Sequence, residues 1–176
     1  MILLDPDLDP DPAPRTTSAK RKSVQGSSRT HRLPSVRVLS HFLARAQAAV
    51  RLRGQVTVLL TTDAALRGLN RRFRGKNKPT DVLSFPSDGP AAAGLAGDLA
   101  ISVETAQKQA GGEGHALAIE LKVLILHGLL HLAGYDHEKD AGRMLRRERG
   151  LRMRLGLPLG LIERTAAQST AKAGRS

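Results

Sequence analysis

The spacing of apolar residues predicts helices and short strands through the middle of the chain. Ser35 is a suitable N-cap for a first helix that runs to about Leu52 and is ended by Gly54. The β-branched run at residues 56–60 predicts a strand, and Asp63 is the expected N-cap of a second helix. The apolar face of the first helix is expected to hold Val38, Phe42, Ala46, Ala49 and Val50.

Strands and longer helices also alternate in the second half of the chain. Strands are predicted at residues 80–85 and 98–102, followed by a helix over about residues 102–112. Residues 116–133 are apolar on almost every side, which indicates a buried central helix, and residues 136–155 form a last helix with a basic outer face. This irregular alternation predicts an α+β fold, with a small mixed β-sheet packed with about five helices.

Polar segments flank this region on both sides. Residues 1–32 are rich in Asp, Pro, Ser, Lys and Arg, and we expect most of them to be disordered because they cannot bury enough apolar surface. Residues 1–4 are a candidate for a short strand before this segment. Residues 165–176 are small and polar, and are predicted to form a flexible tail. The chain is therefore expected to have one folded domain, at residues 33–164.

The charge of the chain favours partners that carry phosphate. Lys and Arg outnumber Asp and Glu by 28 to 16, which gives a formal net charge of +12. Basic side chains that neutralise phosphates release counterions, so nucleic acid is a plausible partner. Aromatic residues make up only 2% of the chain, which argues against a broad aromatic platform for RNA bases.

The absence of cysteine limits the chemistry of this chain. Disulfide partners are excluded, and a metal site has to be built from His, Asp or Glu. No apolar run reaches the ~18–20 residues of a membrane span, and the N-terminus lacks the features of a secretory signal. We therefore expect a cytoplasmic protein with no membrane partner.

Three histidines near the end of the central helix have the spacing of a metal site. His127 and His131 are four residues apart, which places both on one helix face. Gly134 can turn the chain back, so that His137 approaches from another side. Three histidines leave a fourth tetrahedral position for water, which is typical of a catalytic zinc site. A structural site would need a fourth protein ligand, for which Asp136 is the candidate.

The same spacing, HxxxHxxGxxH, occurs in metzincin peptidases. In those enzymes a Glu follows the first His and acts as the general base. Gly128 stands at that position here, which disfavours a zinc metallopeptidase-like hydrolase. No other side-chain base is evident. Glu120 lies about 10 Å along the helix from His127, and we interpret it as a charge at the helix start.

Several other polar residues have only supporting or structural roles in this interpretation. Asp81 and Asp98 are candidates for hydrogen bonding to the site, with turn or capping roles as the alternative. Tyr135 and Asp136 are candidates for orienting His137. His115 precedes the central helix, and we expect it to have no catalytic role.

Three blocks of sequence resemble the YbeY family of bacterial endoribonucleases, also called rRNA maturation factors. The first is FRGKNKPTDVLSFP at residues 73–86, preceded by the Leu69–Asn70 pair. The second is GDLAIS at residues 97–102, and the third is the histidine segment at residues 127–137. The blocks keep the order of the family, and the resemblance extends over about residues 35–160.

This resemblance implies an activity, a cofactor and a substrate. It implies a zinc-dependent, single-strand-specific endoribonuclease that acts in 16S rRNA 3′-end maturation and ribosome quality control, on rRNA and small-subunit precursors. It implies one Zn²⁺ held by His127, His131 and His137, and a functional role for Arg74. The family's RGKD block reads RGKN here, because Asn77 replaces the aspartate, so a role for that carboxylate is in doubt.

The candidate catalytic residues are Arg74, His127 and His131. A guanidinium stabilises negative charge that develops on phosphate oxygens, and Lys76 and Lys78 are expected to contact neighbouring RNA phosphates together with Arg74. Zinc-activated hydroxide would attack phosphorus directly or deprotonate the ribose 2′-OH. The remaining alternative is a non-catalytic ribosome-assembly factor in which the zinc is structural.

Overall fold

A computed structural model describes residues 1–8, 33–87, 94–137 and 139–158, and all structural statements below refer to these residues. Most of the segment predicted to be disordered, and the whole of the predicted tail, lie outside them. The elements in chain order are β1 (Ile2–Leu4), a 3-10 turn (Pro6–Leu8), α1 (Val36–Val50), β2 (Gln55–Thr61), α2 (Asp63–Arg74), β3 (Val82–Pro86), β4 (Leu95–Ser102), α3 (Val103–Glu113), α4 (Leu117–Leu132) and α5 (Arg143–Leu155).

The four strands form one mixed sheet in the order β1-β2-β4-β3. β1, β2 and β4 run parallel, whereas β3 pairs with β4 in the antiparallel direction and is an edge strand. The candidate strand at the N-terminus is present, with Ile2 opposite Val58. The predicted α+β class, with a small mixed sheet and five α-helices in the described residues, is confirmed.

The central helix α4 lies in the main hydrophobic core. It contacts the sheet on one side and α1, α3 and α5 on others. On the opposite face of the sheet, Leu66 of α2 packs with Leu83 and Ala100 in a second, smaller cluster. Among the described residues no single helix is long and apolar enough to cross a membrane. Taken together, α3 and α4 have the length and composition of a membrane span, but this pair of helices is bent by 113°. The largest fully buried side chains of α4 are Leu121, Leu124, Ile125, Leu126, Leu129 and Leu130.

The first helix is capped as predicted, but its buried face and its end differ. The Ser35 side chain accepts a hydrogen bond from the Val38 amide, which confirms the N-cap. Phe42, Ala46 and Val50 are buried as predicted, whereas Val38 is 46% exposed and its neighbour Leu39 is buried instead. The helix ends at Arg51 in a left-handed conformation, so the prediction that Gly54 ends it was wrong.

Asp63 does not cap the second helix. The side chain of Thr62 accepts from the Ala65 amide and is the N-cap. The Asp63 carboxylate instead accepts hydrogen bonds from the hydroxyls of Ser102 and Thr105 and from Lys108. Asp63 therefore joins the start of α2 to the start of α3.

These contacts predict a pH-dependent contribution of Asp63 to stability. Partial burial opposes ionisation, but the hydrogen bonds from Ser102, Thr105 and Lys108 outweigh it and lower the pKa of Asp63 from 3.8 to about 2. The lowered pKa stabilises the folded state above pH ~4, and this gain is lost as the pH falls toward 2. We expect Asp63→Asn to lower the free energy of unfolding by about 2 kcal/mol at pH 7.

Urea unfolding of both proteins between pH 7 and pH 3 measures this difference. The gap between the wild-type protein and the Asp63→Asn variant should narrow as the pH falls below about 4. A gap that stays constant over this range would show that the Asp63 charge does not contribute.

Candidate active site

Three imidazole rings meet at the C-terminal end of α4. His127 and His131 lie one turn apart on the helix, and His137 reaches them from the loop that follows. Ring centroids are 4.8 Å apart for His127 and His131, 5.5 Å for His127 and His137, and 5.4 Å for His131 and His137. One ring nitrogen from each residue lies within 4.8 Å of the other two, which is the arrangement of a group that could hold a metal ion.

The loop after α4 brings His137 back toward the helix. Gly134 has a φ of +86°, a conformation that favours glycine, and the Tyr135 amide donates to the Leu130 carbonyl at 3.0 Å. The last helix was predicted to begin at Asp136, but α5 begins at Arg143. Two residues directly before α5, Ala141 and Gly142, have left-handed backbone conformations that prevent the helix from starting earlier. His137 therefore lies in a loop from which it can face α4.

A buried carboxylate that the sequence analysis missed holds the ring of His127. Glu148 of α5 is 1% exposed, and its Oε2 lies 3.1 Å from Nδ1 of His127. Its second oxygen lies 3.4 Å from the guanidinium of Arg152. Because a carboxylate only accepts, Nδ1 of His127 donates and Nε2 carries the free electron pair that faces His131.

The sequence of the last helix contains a feature that could have identified Glu148 as a buried residue. Glu148 is four residues after Met144 and three before Leu151, so it lies on the apolar face of α5. A single acidic residue on an apolar stripe of a helix with six arginines indicates a buried partner. The partner could not be named from spacing, because the contact joins residues 21 positions apart.

The surroundings of His131 favour its neutral form. Burial, followed by repulsion from His127 and His137, lowers the pKa of His131 to about 4. His131 is therefore neutral at pH 7, as a metal ligand has to be. Three imidazoles, one of them oriented by a carboxylate, are a donor set that suits Zn²⁺ or a similar divalent ion.

Among the described residues, the group that could hold a metal ion contains three histidines and no fourth ligand. Asp136, the candidate for that role, forms an ion pair with Lys139 at 3.5 Å. A group of three ligands leaves coordination positions for water or substrate.

A cleft of about 630 Å³ opens over the three histidines. Arg74 and Lys76 lie on its wall, so the structure brings two of the three predicted basic residues together with the histidines. Lys78 is exposed and does not line the cleft; its carbonyl accepts from the buried Asn70 side chain at 2.7 Å. The other lining residues are Thr80, Asp81, Val82, Ser84, Pro86, Gly134, Tyr135, Asp136 and Lys139.

The two acidic residues considered as hydrogen-bonding candidates for the site, Asp81 and Asp98, differ in position. The Asp81 carboxylate accepts from the Val82 amide at 2.8 Å and from Gln109 at 3.0 Å, so it shapes the turn into β3 while lining the cleft. Asp98 is exposed on β4 and does not line the cleft.

Glu120 is fully buried and lies 2.5 Å from His115, so the interpretation of Glu120 as a simple charge at the helix start was incomplete.

Gly128 lies where the helix packs closely against the sheet. A Cβ atom at this position would lie 2.7 Å from a methyl group of Leu99 on β4. The position that carries the general base in metzincins therefore faces the sheet core in this chain. A longer side chain there would require the buried Leu99 side chain to shift or α4 to move away from β4.

Comparison with known proteins gives the family. A model described as endoribonuclease YbeY matches residues 18–156. An endoribonuclease YbeY from Koribacter versatilis is 55% identical over 78% of this chain and 88% of its own length. Another, from Solibacter usitatus, is 49% identical over 81% of this chain and 97% of its own length.

A solved structure supports the same relationship. The solution structure of TM1509 from Thermotoga maritima matches with a TM-score of 0.50 at 26% identity, over 68% of this chain and 81% of that one. The match of the family model covers most of the chain, including the three histidines and the basic loop of the cleft. The chain therefore belongs to the YbeY endoribonuclease family.

Proposed function

We propose that this protein is a zinc-dependent endoribonuclease that cleaves single-stranded RNA. The observation that carries the proposal is one cleft that holds three converging histidines together with Arg74 and Lys76. Ligands for a metal ion and cations for a phosphodiester are thus in one place. The family name of the matching relatives supports RNA as the substrate.

The residues of the chain divide the work between metal binding and charge stabilisation. His127, His131 and His137 would hold the ion, and Glu148 fixes which nitrogen of His127 faces it. When bound, Zn²⁺ supplies Lewis acidity and makes water a competent nucleophile near neutral pH. Arg74 on the cleft wall stabilises the negative charge that builds on the phosphate oxygens during cleavage.

Lys76 lines the same cleft and would hold a phosphate without reading sequence. Lys78 has the same expected role, from a position outside the cleft lining. The proposed biological substrate is the 3′ end of 16S rRNA in small-subunit precursors, with a further role in ribosome quality control in the cytoplasm. The net charge of +12 supports a phosphate-rich substrate of this kind.

Cleavage assays with matched substrates test this proposal. Zinc-loaded protein should cut a single-stranded oligonucleotide of the rRNA 3′-end sequence, and a chelator should stop cleavage until zinc is restored. The same strand in a duplex should be cut much more slowly, and a denatured protein should not be cut. Tight RNA binding with no cleavage at any metal concentration would favour a non-catalytic assembly factor instead.

Glu148 gives a second test of how the site is built. We expect Glu148→Gln to lower zinc affinity about 10- to 100-fold, because the carboxylate that orients His127 and raises its basicity is lost. The variant should also lose about 3 kcal/mol of stability, since the buried Arg152 loses its negatively charged neighbour. Zinc titration with a competing chelator at a temperature where the variant is folded measures the affinity. An unchanged zinc affinity would remove Glu148 from the metal site.

A further inference from the structure

Two of the three phenylalanines of this chain form a pair at the surface, beside the cleft. Phe73 is the penultimate residue of α2 and is 59% exposed, although the chain has few aromatic residues. Its ring meets that of Phe85 on β3 edge to face, with centroids 5.2 Å apart. The guanidinium of Arg72 lies over the Phe73 ring, 5.4 Å from its centre.

The pair is joined to the cleft through its neighbours in the chain. Arg74, the residue after Phe73, lines the cleft, as do Ser84 and Pro86 on either side of Phe85. Side chains alternate along a strand, so Phe85 points to the opposite face of β3 from Ser84 and Pro86. Because β3 is the edge of the sheet, only one strand separates the aromatic pair from the cleft.

Charge around the pair favours an anionic partner with planar groups. Arg71, Arg72 and Arg74 are all exposed at this end of α2, and the loop that follows adds Lys76. An exposed aromatic ring among arginines has the two elements with which proteins bind single-stranded nucleic acid: a stacking surface for a base and cations for its phosphates.

We infer that Phe73, supported by Phe85, stacks on a nucleobase next to the nucleotide that is cleaved. This inference rests on the proposed function and adds the residue that recognises an unpaired base. A single strand can bend around the edge of β3, with one phosphate in the cleft and a neighbouring base on Phe73. A duplex cannot do so, because its bases are already stacked and its backbone is stiff. The pair thus gives a physical reason for a single-strand preference.

The absence of tryptophan from the chain makes a direct test possible. In the variant Phe73→Trp the new residue is the only tryptophan, and its fluorescence reports on the ring itself. Single-stranded RNA should quench this emission at saturation and duplex RNA should not. A saturating single strand that leaves the emission unchanged would overturn the inference.

Cleavage kinetics with abasic RNA substrates provide a second test of the role of Phe73. Phe73→Leu should raise KM for a short RNA about 5- to 100-fold, with kcat and zinc content close to wild type. An abasic site at one position of the RNA should raise the KM of the wild-type protein by a similar factor. The same abasic site should raise the KM of the Phe73→Leu variant only slightly further. The control Met153→Ala removes another exposed apolar side chain, from α5, and should behave as wild type.

The outcomes separate this inference from the proposed function. Normal cleavage by wild type together with an unchanged KM for Phe73→Leu would overturn the role of Phe73 alone. Abasic effects that are equally large in both proteins would do the same, since the base would then contact another group. If wild type neither binds nor cleaves any of the RNAs, the proposed function itself fails.

Discussion

His127→Ala is expected to abolish metal binding and RNA cleavage together. His127 is the most buried of the three histidines, and its Nε2 lies 3.1 Å from that of His131. Removing it leaves two ligands, too few to hold the ion at ordinary zinc concentrations. Because a bound metal contributes several kcal/mol to transition-state stabilisation, we expect cleavage to fall by about 1,000-fold or more.

Elemental analysis and cleavage rates on the same preparations measure this effect. His41→Ala is a matched control, because His41 is exposed on α1 and does not line the cleft. RNA binding, followed by fluorescence anisotropy, should survive in both variants since Arg74 and Lys76 remain. Full metal content in His127→Ala would show that His127 is not a ligand, and cleavage by metal-free protein would show that the metal is not needed.

Arg74→Glu is expected to reduce kcat about 100- to 1,000-fold while zinc stays bound. Arg74 lines the cleft but is not one of the metal-binding group, so its charge can be reversed without removing a ligand. The loss follows from removing a preorganised cation at the place where phosphate charge develops and replacing it with an anion. Single-turnover cleavage, with zinc content measured in parallel, separates this effect from loss of the metal.

Arg67→Glu is the control for overall charge. Arg67 is exposed on the same helix and does not line the cleft, so this variant makes an identical change in net charge. We expect it to weaken RNA binding slightly and to leave the rate of the chemical step unchanged. Equal losses in the two variants would mean that Arg74 acts only through long-range attraction of RNA.

The sequence predicts those parts of the site that depend on local geometry. His127 and His131 had to share a face because they lie four residues apart on one helix, and Gly134 marked the turn that returns His137. The buried nature of α4 followed from its nearly continuous apolar residues. Contacts within a few residues are fixed by helix and turn geometry, and spacing alone is enough to predict them.

Contacts between distant elements could not be predicted in the same way. The contact of Glu148 with His127 depends on how α5 packs against α4, and the hydrogen bonds of Asp63 depend on how α2 meets α3. The start of α5 was misplaced because Ala141, at φ +51°, adopts a conformation that its residue type does not indicate. Tertiary packing decided each of these features.

X-ray absorption spectroscopy of the zinc-loaded protein can count the histidine ligands, because imidazole rings give characteristic multiple scattering. We propose that three histidines bind one cation and leave a position for a small exchangeable ligand. The spectrum should show three imidazole nitrogens and one or two further light atoms. Two or fewer imidazoles, or a closed set of four protein ligands, would contradict it.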